Sequence, residues 1–186
     1  MFAAIDRRFG TWRGAVRLGL AYGEVAGGIA CDLRPEPEAV RRLVFVCHGN
    51  ICRSAYAEAL ARRAGMETAS FGLSTTTGRP AWPGTAEVAA RRGLSLDGHA
   101  ATDMRDFRAR PGDYLLAMET RHLRRLSALS GLAHLPRGLL GAYAGVPHLH
   151  DPFGLDPAYM ETCLTRIEEA VRALCRAFPN AAAAAS

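Results

Sequence analysis

Short apolar runs alternate with longer stretches of helical spacing along most of the chain. Residues 43–46 form a run of four apolar residues, which has the length and composition of a buried strand. Apolar residues then recur three and four positions apart, with Ser54 as a candidate N-cap, and predict a helix over residues 54–64. Further strand signals lie near residues 68–70 and over residues 114–118. The pattern therefore predicts strands separated by helices.

The last helix is the best defined by its sequence. Asp156 can cap its N-terminus, Pro157 suits its first turn, and one apolar stripe follows at Met160, Leu164, Ile167, Val171 and Leu174. Other helices are predicted over residues 85–92 and after residue 118. Because strands that alternate with helices form parallel sheets, we predict a three-layer α/β fold with about four parallel strands and helices on both faces. Ligands of such sheets bind at the carboxyl ends of the strands.

Residues 1–40 have a different character. Arginines interrupt every apolar run and glycines recur throughout, so the segment is a poor candidate for a helix, a membrane span or a signal peptide. A packed or disordered extension is the favoured interpretation, and a segment that docks on a membrane surface or a partner is the alternative. Pro35-Glu36-Pro37 is typical of a linker. We therefore divide the chain into an N-terminal extension of unknown role (1–40), a main domain (41–178) and a disordered tail (179–186).

Composition narrows the class of protein. A chain of 186 residues suits one domain with an appendage. All 23 basic residues are arginine, which is typical of a GC-rich bacterial genome, and their scattered positions argue against a nucleic-acid partner. Five cysteines without regular spacing match neither a disulfide framework nor a zinc site, so a cytoplasmic location is expected.

The segment after the first strand carries the clearest chemistry. Cys47 ends the strand, and Gly49 and Asn50 tolerate left-handed conformations, so that successive backbone N–H groups can point at one anion. Arg53 can bind two phosphate oxygens, and the same positive loop favours the nucleophilic thiolate of Cys47. The Gly-Lys-Ser/Thr ending of nucleotide-binding loops is absent. The segment therefore predicts a phosphate-binding loop that contains a nucleophile.

Further motifs follow this loop in a characteristic order. They are residues 68–73, Gly78-Arg79-Pro80, Gly98-His99-Ala100-Ala101 and Asp151-Pro152-Phe153-Gly154. On these motifs and the loop itself, residues 42–178 resemble the low-molecular-weight protein-tyrosine phosphatases. The resemblance leaves the extension and the tail unexplained.

The resemblance implies a role for each matching residue. Cys47 would attack phosphorus in line and form a cysteinyl-phosphate, while Arg53 would hold the equatorial oxygens. Asp151 would protonate the leaving oxygen and then activate water. Ser70 and His99 would brace the loop. The residues expected to contact phosphate or substrate are His48, Gly49, Asn50, Ile51, Cys52, Ser54 and Phe153, with Ser54 also bonded to the Cys47 sulfur.

No cofactor or metal is implied. His148 and His150 are two residues apart, a spacing that would place two metal ligands on one face of a strand. Because they lie beside Asp151, they are better explained as groups that tune its charge or line the pocket rim. His99 could also be an ordinary surface histidine, and Asp151 could be a turn residue before proline. Cys52 matches the family's second loop cysteine, which forms a reversible disulfide with the nucleophile. We therefore expect a redox-sensitive enzyme.

Four departures from the family pattern concern the substrate. His48 and Ala55 replace the usual small or apolar residue and the usual proline, and residues 74–77 lack the aromatic wall of the aryl slot, which Trp82 could replace. Phe153 and Gly154 stand where tyrosine or tandem aromatic residues are common.

These departures leave more than one substrate class open. Some relatives that hydrolyse phosphoarginine also carry phenylalanine at the position of Phe153, but they carry threonine at the position of Ile51. Ile51 therefore favours phosphotyrosine, with protein-arginine phosphatase as the alternative and a phosphate-binding regulatory module without turnover as the further alternative. Arsenate reduction needs downstream cysteines, and none occurs between Cys52 and Cys163.

The sequence thus predicts a cytoplasmic bacterial phosphatase that acts on phosphotyrosine in proteins. By family analogy, one such substrate is a bacterial tyrosine kinase that controls polysaccharide export. No nucleic-acid partner is expected, and contact of the N-terminal extension with a membrane stays open.

Overall fold

A single parallel sheet forms the centre of the fold. The computed structural model describes residues 2–183, with side chains from residue 5 onward. The strands are β1 (Arg42–Cys47), β2 (Thr68–Gly72), β3 (Asp113–Ala117) and β4 (Arg137–Leu139), in the order β2-β1-β3-β4. All three pairings are parallel, which confirms the predicted α/β architecture.

Helices cover both faces of this sheet. Alternate residues of β1 belong to two separate apolar clusters: Phe45 packs with α6, whereas Val44 and Val46 pack with Leu123 of α5. Because both faces are buried, β1 shows a continuous apolar run and not an alternating one. The helices are α1 (Phe2–Phe9), α2 (Trp12–Ala26), α3 (Arg53–Arg63), α4 (Pro83–Arg91), α5 (Thr120–Ser127) and α6 (Pro157–Ala177).

Some element boundaries differ from the sequence prediction. β2 extends to Gly72, and α3 begins at Arg53 with Cys52 as its N-cap, so Ser54 is not the cap. β4 has no strand signal of its own, since it has three residues with a glycine at its centre. Its position is set by pairing, because Leu115 of β3 aligns with Arg137.

The N-terminal extension is helical and packed, which corrects the expectation of a poor helix. Thr11 caps α2 by accepting a hydrogen bond from the Gly14 amide at 3.0 Å. Gly10 has a φ of +78° and lies where a Cβ would clash with Tyr159, so a glycine is required there. Three long-range contacts then hold the extension on the main domain: Tyr22 to the Gly145 carbonyl at 2.6 Å, Glu24 to Arg124 at 2.8 Å, and Thr162 to the Arg7 carbonyl at 2.8 Å.

The start of the tail is also ordered. Residues Pro179–Ala181 form a 3₁₀ turn, and Ala181 is buried. The Ala181 carbonyl accepts from the Glu67 amide at 2.7 Å, and the Ala183 amide donates to the Gly65 carbonyl at 2.8 Å. The prediction of a disordered tail is therefore wrong for residues 179–183, and residues 184–186 lie outside the described residues.

Candidate active site

The loop between β1 and α3 places its backbone around the Cys47 sulfur. Asn50 adopts a left-handed φ of +53°, whereas Gly49 is not among the described glycines with positive φ. This conformation directs the Asn50 amide at Cys47 Sγ, 3.2 Å away. The Ser54 hydroxyl lies 3.0 Å from the same sulfur. The arrangement provides hydrogen-bond donors for a sulfur anion at the N-terminus of α3, where the helix dipole also favours negative charge.

Cys47 faces a cavity of about 210 Å³ at the carboxyl end of β1. The cavity brings together residues from the loop after β1, the loop after β2 and the segment that follows residue 149. Its lining residues are Cys47, His48, Gly49, Ile51, Cys52, Ser74, Arg79, Asp151 and Phe153. Arg79, which sequence analysis did not assign to the site, adds a positive charge to this wall.

Arg53 is fully buried beneath the loop and contacts two carboxylates. Its Nη1 donates to Glu119 Oε1 at 2.8 Å and to the Leu149 carbonyl at 2.7 Å, and its Nη2 lies 2.7 Å from Asp151 Oδ2. Burial lowers the pKa of Arg53, but Asp151 and Glu119 outweigh it and raise that pKa above its usual value. The guanidinium is therefore a permanently charged group held in a fixed orientation.

Glu119 was missed by sequence analysis although it completes this ion pair. Its side chain is buried, which raises its pKa, but Arg53 more than compensates and holds the pKa of Glu119 well below its usual value. Glu119 follows Met118 shortly after β3, at the same edge of the sheet as Cys47. An acid directly after a neighbouring parallel strand was the signal that could have identified it.

Asn50 connects the loop to the residues expected to brace it. Its Nδ2 donates to Ser54 Oγ at 2.9 Å and to Ser70 Oγ at 2.7 Å. His99 Nε2 lies 2.7 Å from the Asn50 carbonyl oxygen, to which it can donate. Ser70 in turn donates to Glu58, a second acid that sequence analysis missed. Ser70 and His99 therefore contact the loop through Asn50 and do not line the cavity.

The aromatic residues do not form two walls of a slot. Phe153 lines the cavity and is 53% exposed, while Trp82 packs behind it with the ring centroids 5.1 Å apart. The Trp82 amide also donates to the Ile51 carbonyl at 2.8 Å. Trp82 thus contacts Phe153 and the backbone of Ile51, and it is not among the residues that line the cavity.

Two buried histidines surround the Arg53–Glu119 pair. His122 Nε2 lies 3.7 Å from Glu119 Oε1, and His148 Nε2 lies 3.9 Å from Glu119 Oε2. Burial lowers the pKa of His122 to about 3 and that of His148 to about 4. Both imidazoles are therefore neutral near pH 7. Within residues 2–183, no three His, Cys, Asp or Glu side chains come together as metal ligands would.

Acidification is expected to destabilise the fold through these histidines. In the unfolded chain each has an ordinary pKa of 6.5, so below about pH 6.5 the unfolded state binds more protons. The free energy of unfolding then falls with pH by at most about 1.4 kcal/mol per pH unit for each histidine, until the folded-state pKa values are reached. Urea unfolding between pH 7 and pH 5 measures this slope.

A matched pair of variants assigns the slope to its source. His122→Asn should flatten it, whereas His134→Asn, at an exposed position, should leave it unchanged. A slope that is identical in all three proteins would contradict the assignment.

The N-terminal extension contacts the segment that carries Asp151. Thr11 Oγ1 lies 3.4 Å from His150 Nε2, and Gly14 leaves room for the His150 ring, which a Cβ there would meet at 3.0 Å. Tyr159 donates to the His150 carbonyl at 3.2 Å from the other side. Because none of residues 5–40 lines the Cys47 cavity, the contact of this part of the extension with the site runs through His150, the residue before Asp151.

Thr11→Val is expected to lower kcat for substrates with poor leaving groups by about threefold to tenfold, because His150 and the adjacent Asp151 lose a positioning contact. The dependence of kcat on leaving-group pKa measures the effect. Thr11→Ser, which keeps the hydroxyl, should restore wild-type rates. Thr162→Val removes a different contact of the same extension and should not steepen that dependence; an equal change in both valine variants would argue against a role for His150.

Comparisons with known proteins agree with this geometry. A family model described as low molecular weight phosphotyrosine protein phosphatase matches residues 42–183. The phosphatase Wzb of Salmonella typhimurium is 34% identical over 136 residues, which cover 70% of this chain and 89% of Wzb. The crystal structure of the tyrosine phosphatase amsI from Erwinia amylovora has a TM-score of 0.69 and 27% identity, and the match covers 79% of this chain and 99% of amsI. The YwlE arginine phosphatase is also similar, with a TM-score of 0.61 and 25% identity over 73% of this chain and 93% of YwlE.

Proposed function

The chain belongs to the low molecular weight phosphotyrosine protein phosphatase family, and on that premise we propose that it hydrolyses phosphotyrosine in proteins through a cysteinyl-phosphate on Cys47. One observation carries the proposal. The Cys47 sulfur and the Asp151 carboxylate line the same cavity, and Asp151 lies 2.7 Å from the buried Arg53 guanidinium. A nucleophile, a phosphate clamp and an acid are thereby adjacent.

The first step transfers the phosphoryl group to sulfur. The Cys47 thiolate attacks phosphorus, a P–S bond forms, and the bond from phosphorus to the tyrosyl oxygen breaks. Protonated Asp151 gives its proton to that oxygen as it leaves. Arg53 and the loop amides bind the three equatorial oxygens, whose charge is spread in the transition state.

The second step releases phosphate. Asp151, now ionised, removes a proton from a water molecule, which attacks phosphorus as the P–S bond breaks. Sulfur leaves as the thiolate, and the Ser54 hydroxyl and Asn50 amide stabilise it. Glu119 keeps the Arg53 guanidinium in place through both steps.

The walls of the cavity support an aryl substrate. Phe153 lines the cavity with a half-exposed aromatic side chain, and Ile51 adds an apolar side chain that is 8% exposed. Aromatic pairs of this kind contribute about 0.5–1.5 kcal/mol beyond area burial. Phosphoarginine is the second candidate substrate. The relatives that hydrolyse it also carry phenylalanine at the position of Phe153, and the YwlE arginine phosphatase has the same fold.

Rates on matched peptides distinguish the two substrates. We expect a higher kcat/KM for a phosphotyrosine peptide than for the phosphoarginine peptide of the same sequence, and Ile51→Thr should reduce the ratio. A preference for phosphoarginine would contradict the proposal and identify the protein as an arginine phosphatase. An absence of turnover on both peptides, with phosphate binding retained, would leave a regulatory binding module.

The proposed location is the cytoplasm, where the five cysteines of the chain stay reduced. A bacterial tyrosine kinase that controls polysaccharide export is the proposed protein substrate. Family analogy supports this substrate, since Wzb is similar in sequence.

Cys52 is proposed to protect the nucleophile from irreversible oxidation. Burial raises the pKa of Cys52 to about 12, so hydrogen peroxide would oxidise Cys47 first, to the sulfenic acid with release of hydroxide. Attack of the Cys52 sulfur on the Cys47 sulfur then forms a disulfide and releases water, and a thiol reductant restores both thiols.

After peroxide treatment, Cys52→Ser is expected to recover less activity with dithiothreitol than the wild type, because its sulfenic acid can be oxidised further. Recovered activity at increasing peroxide doses measures the difference. Cys31→Ser, outside the loop, should recover as the wild type does. Equal recovery of Cys52→Ser would exclude the protective role.

A further inference from the structure

The exposed apolar side chains of this protein are concentrated in one segment. In the described part of the chain eight large apolar side chains are exposed, and all but Phe153 belong to residues 12–33. Such a concentration is unusual, because exposed apolar residues are normally scattered singly, and any contiguous patch within it is a candidate interaction site. The seven are Trp12, Val16, Leu20, Tyr22, Val25, Ile29 and Leu33.

Three of these residues lie along one side of α2. Trp12, Val16 and Leu20 are spaced four residues apart, so they share one face of the helix, and they are 58%, 51% and 63% exposed. The helix packs on the main domain through the opposite side, where Gly14 and Ala21 are buried. We call the exposed side, defined by Trp12, Val16 and Leu20, the apolar face of α2. Its orientation inverts the usual pattern, in which the apolar side of a surface helix faces the core.

The surroundings of the apolar face are basic. The exposed residues Arg13 and Arg17 lie beside it on the same helix, and the Arg13 guanidinium lies 5.3 Å from the Trp12 ring centroid. The one acid of α2, Glu24, is paired with Arg124 at 2.8 Å. An exposed apolar stripe with a cationic border is complementary to the headgroup region of an anionic bilayer.

We propose that the apolar face of α2 binds the surface of anionic lipid membranes. Trp12, Val16 and Leu20 would enter the boundary between headgroups and acyl chains, and the arginines would contact lipid phosphates, with their alkyl stems along the apolar surface. The helix lies on the membrane and does not cross it, because its 15 residues span only about 22 Å of a hydrocarbon core of about 30 Å. No helix among residues 2–183 has the length and apolarity of a transmembrane span.

The competing occupant is another protein helix, including α2 of a second copy. Gly19 and Gly23 leave open space on α2 and would allow the backbone of such a helix to approach. The basic border favours the lipid, because two copies of the same positive surface repel each other.

Co-sedimentation of the full chain with lipid vesicles tests the proposal. We expect binding to phosphatidylcholine vesicles that contain about 30% phosphatidylglycerol, and weaker binding at high salt, which screens the arginines. Val16→Gln combined with Leu20→Gln should weaken this binding at least about tenfold. Leu33→Gln, an exposed leucine outside α2, is the matched control and should bind as the wild type does.

Three results would overturn the proposal. They are no sedimentation of the wild type with anionic vesicles at low salt, equal binding to vesicles of phosphatidylcholine alone, and equal weakening by Leu33→Gln. Light scattering tests for self-association through this face. If the wild type were a dimer that did not bind vesicles, and the double variant were a monomer, the apolar face of α2 would be assigned to self-association. Unchanged hydrolysis of a small aryl phosphate by the double variant shows that it is folded.

Discussion

Cys47→Ser is expected to lower kcat/KM for an aryl phosphate by about 10⁴-fold or more, because a serine hydroxyl is a far weaker nucleophile than a thiolate. The loop amplifies this difference. The Asn50 amide and the Ser54 hydroxyl lie 3.2 and 3.0 Å from the sulfur, positions that stabilise an anion, whereas the serine hydroxyl stays protonated near pH 7. Steady-state kinetics of both proteins on phenyl phosphate measure the loss.

Phosphate binding by Cys47→Ser should persist, since Arg53 and the loop amides are retained. Titration calorimetry with inorganic phosphate separates this outcome from misfolding. Cys31→Ser is the matched control and should turn over at the wild-type rate. Activity of Cys47→Ser above about one hundredth of the wild-type value would mean that another group is the nucleophile.

Asp151→Asn is expected to have two opposite effects. Turnover of phenyl phosphate, which has a poor leaving group, should fall by about 10²–10³-fold because asparagine cannot supply a proton. Affinity for inorganic phosphate should rise, because the Asp151 carboxylate lies 2.7 Å from Arg53 Nη2 and competes with a phosphate oxygen for it. Kinetics and calorimetry on the same preparation measure both effects.

The leaving group provides an internal test of this prediction. The loss should be smaller for 4-nitrophenyl phosphate, whose leaving oxygen needs less protonation in the transition state. Asp97→Asn, an exposed aspartate elsewhere in the chain, should change neither rate nor affinity. Equal losses on both substrates, or an unchanged affinity for phosphate, would rule out the proposed roles of Asp151.

The N-terminal extension shows why composition alone misjudged one part of the fold. Its glycines lower helix propensity by up to about 1 kcal/mol each, which argued against a helix. Gly10 is nevertheless required by the close approach of Tyr159, and Gly14 by the Phe9 carbonyl oxygen, which a Cβ at position 14 would overlap. At Gly10 a tertiary contact therefore outweighs the local preference, and its partner Tyr159 lies more than a hundred residues away along the chain.

The sequence alone determined the features that depend on neighbouring residues. The apolar run of β1, the turn at Asn50 and the helical spacing that follows it are local, and they place Cys47 and Arg53 at one loop with the spacing that a phosphate requires. The last helix could also be predicted from the sequence, because its N-cap and its apolar stripe are properties of one segment. In the structure the Asp156 side chain accepts a hydrogen bond from the Ala158 amide at 2.8 Å.

Only the tertiary structure decided which distant residues complete the site. Arg53 and Glu119 are 66 positions apart, Asn50 and Ser70 are 20 apart, and Thr11 and His150 are 139 apart. No periodicity relates such pairs, since they meet where the carboxyl ends of parallel strands converge and where the extension folds back on the main domain. The tertiary structure also decided β4, whose three residues become a strand through pairing with β3. It decided the apolar face of α2 as well, because the side of a helix that is buried depends on what the rest of the chain packs against it.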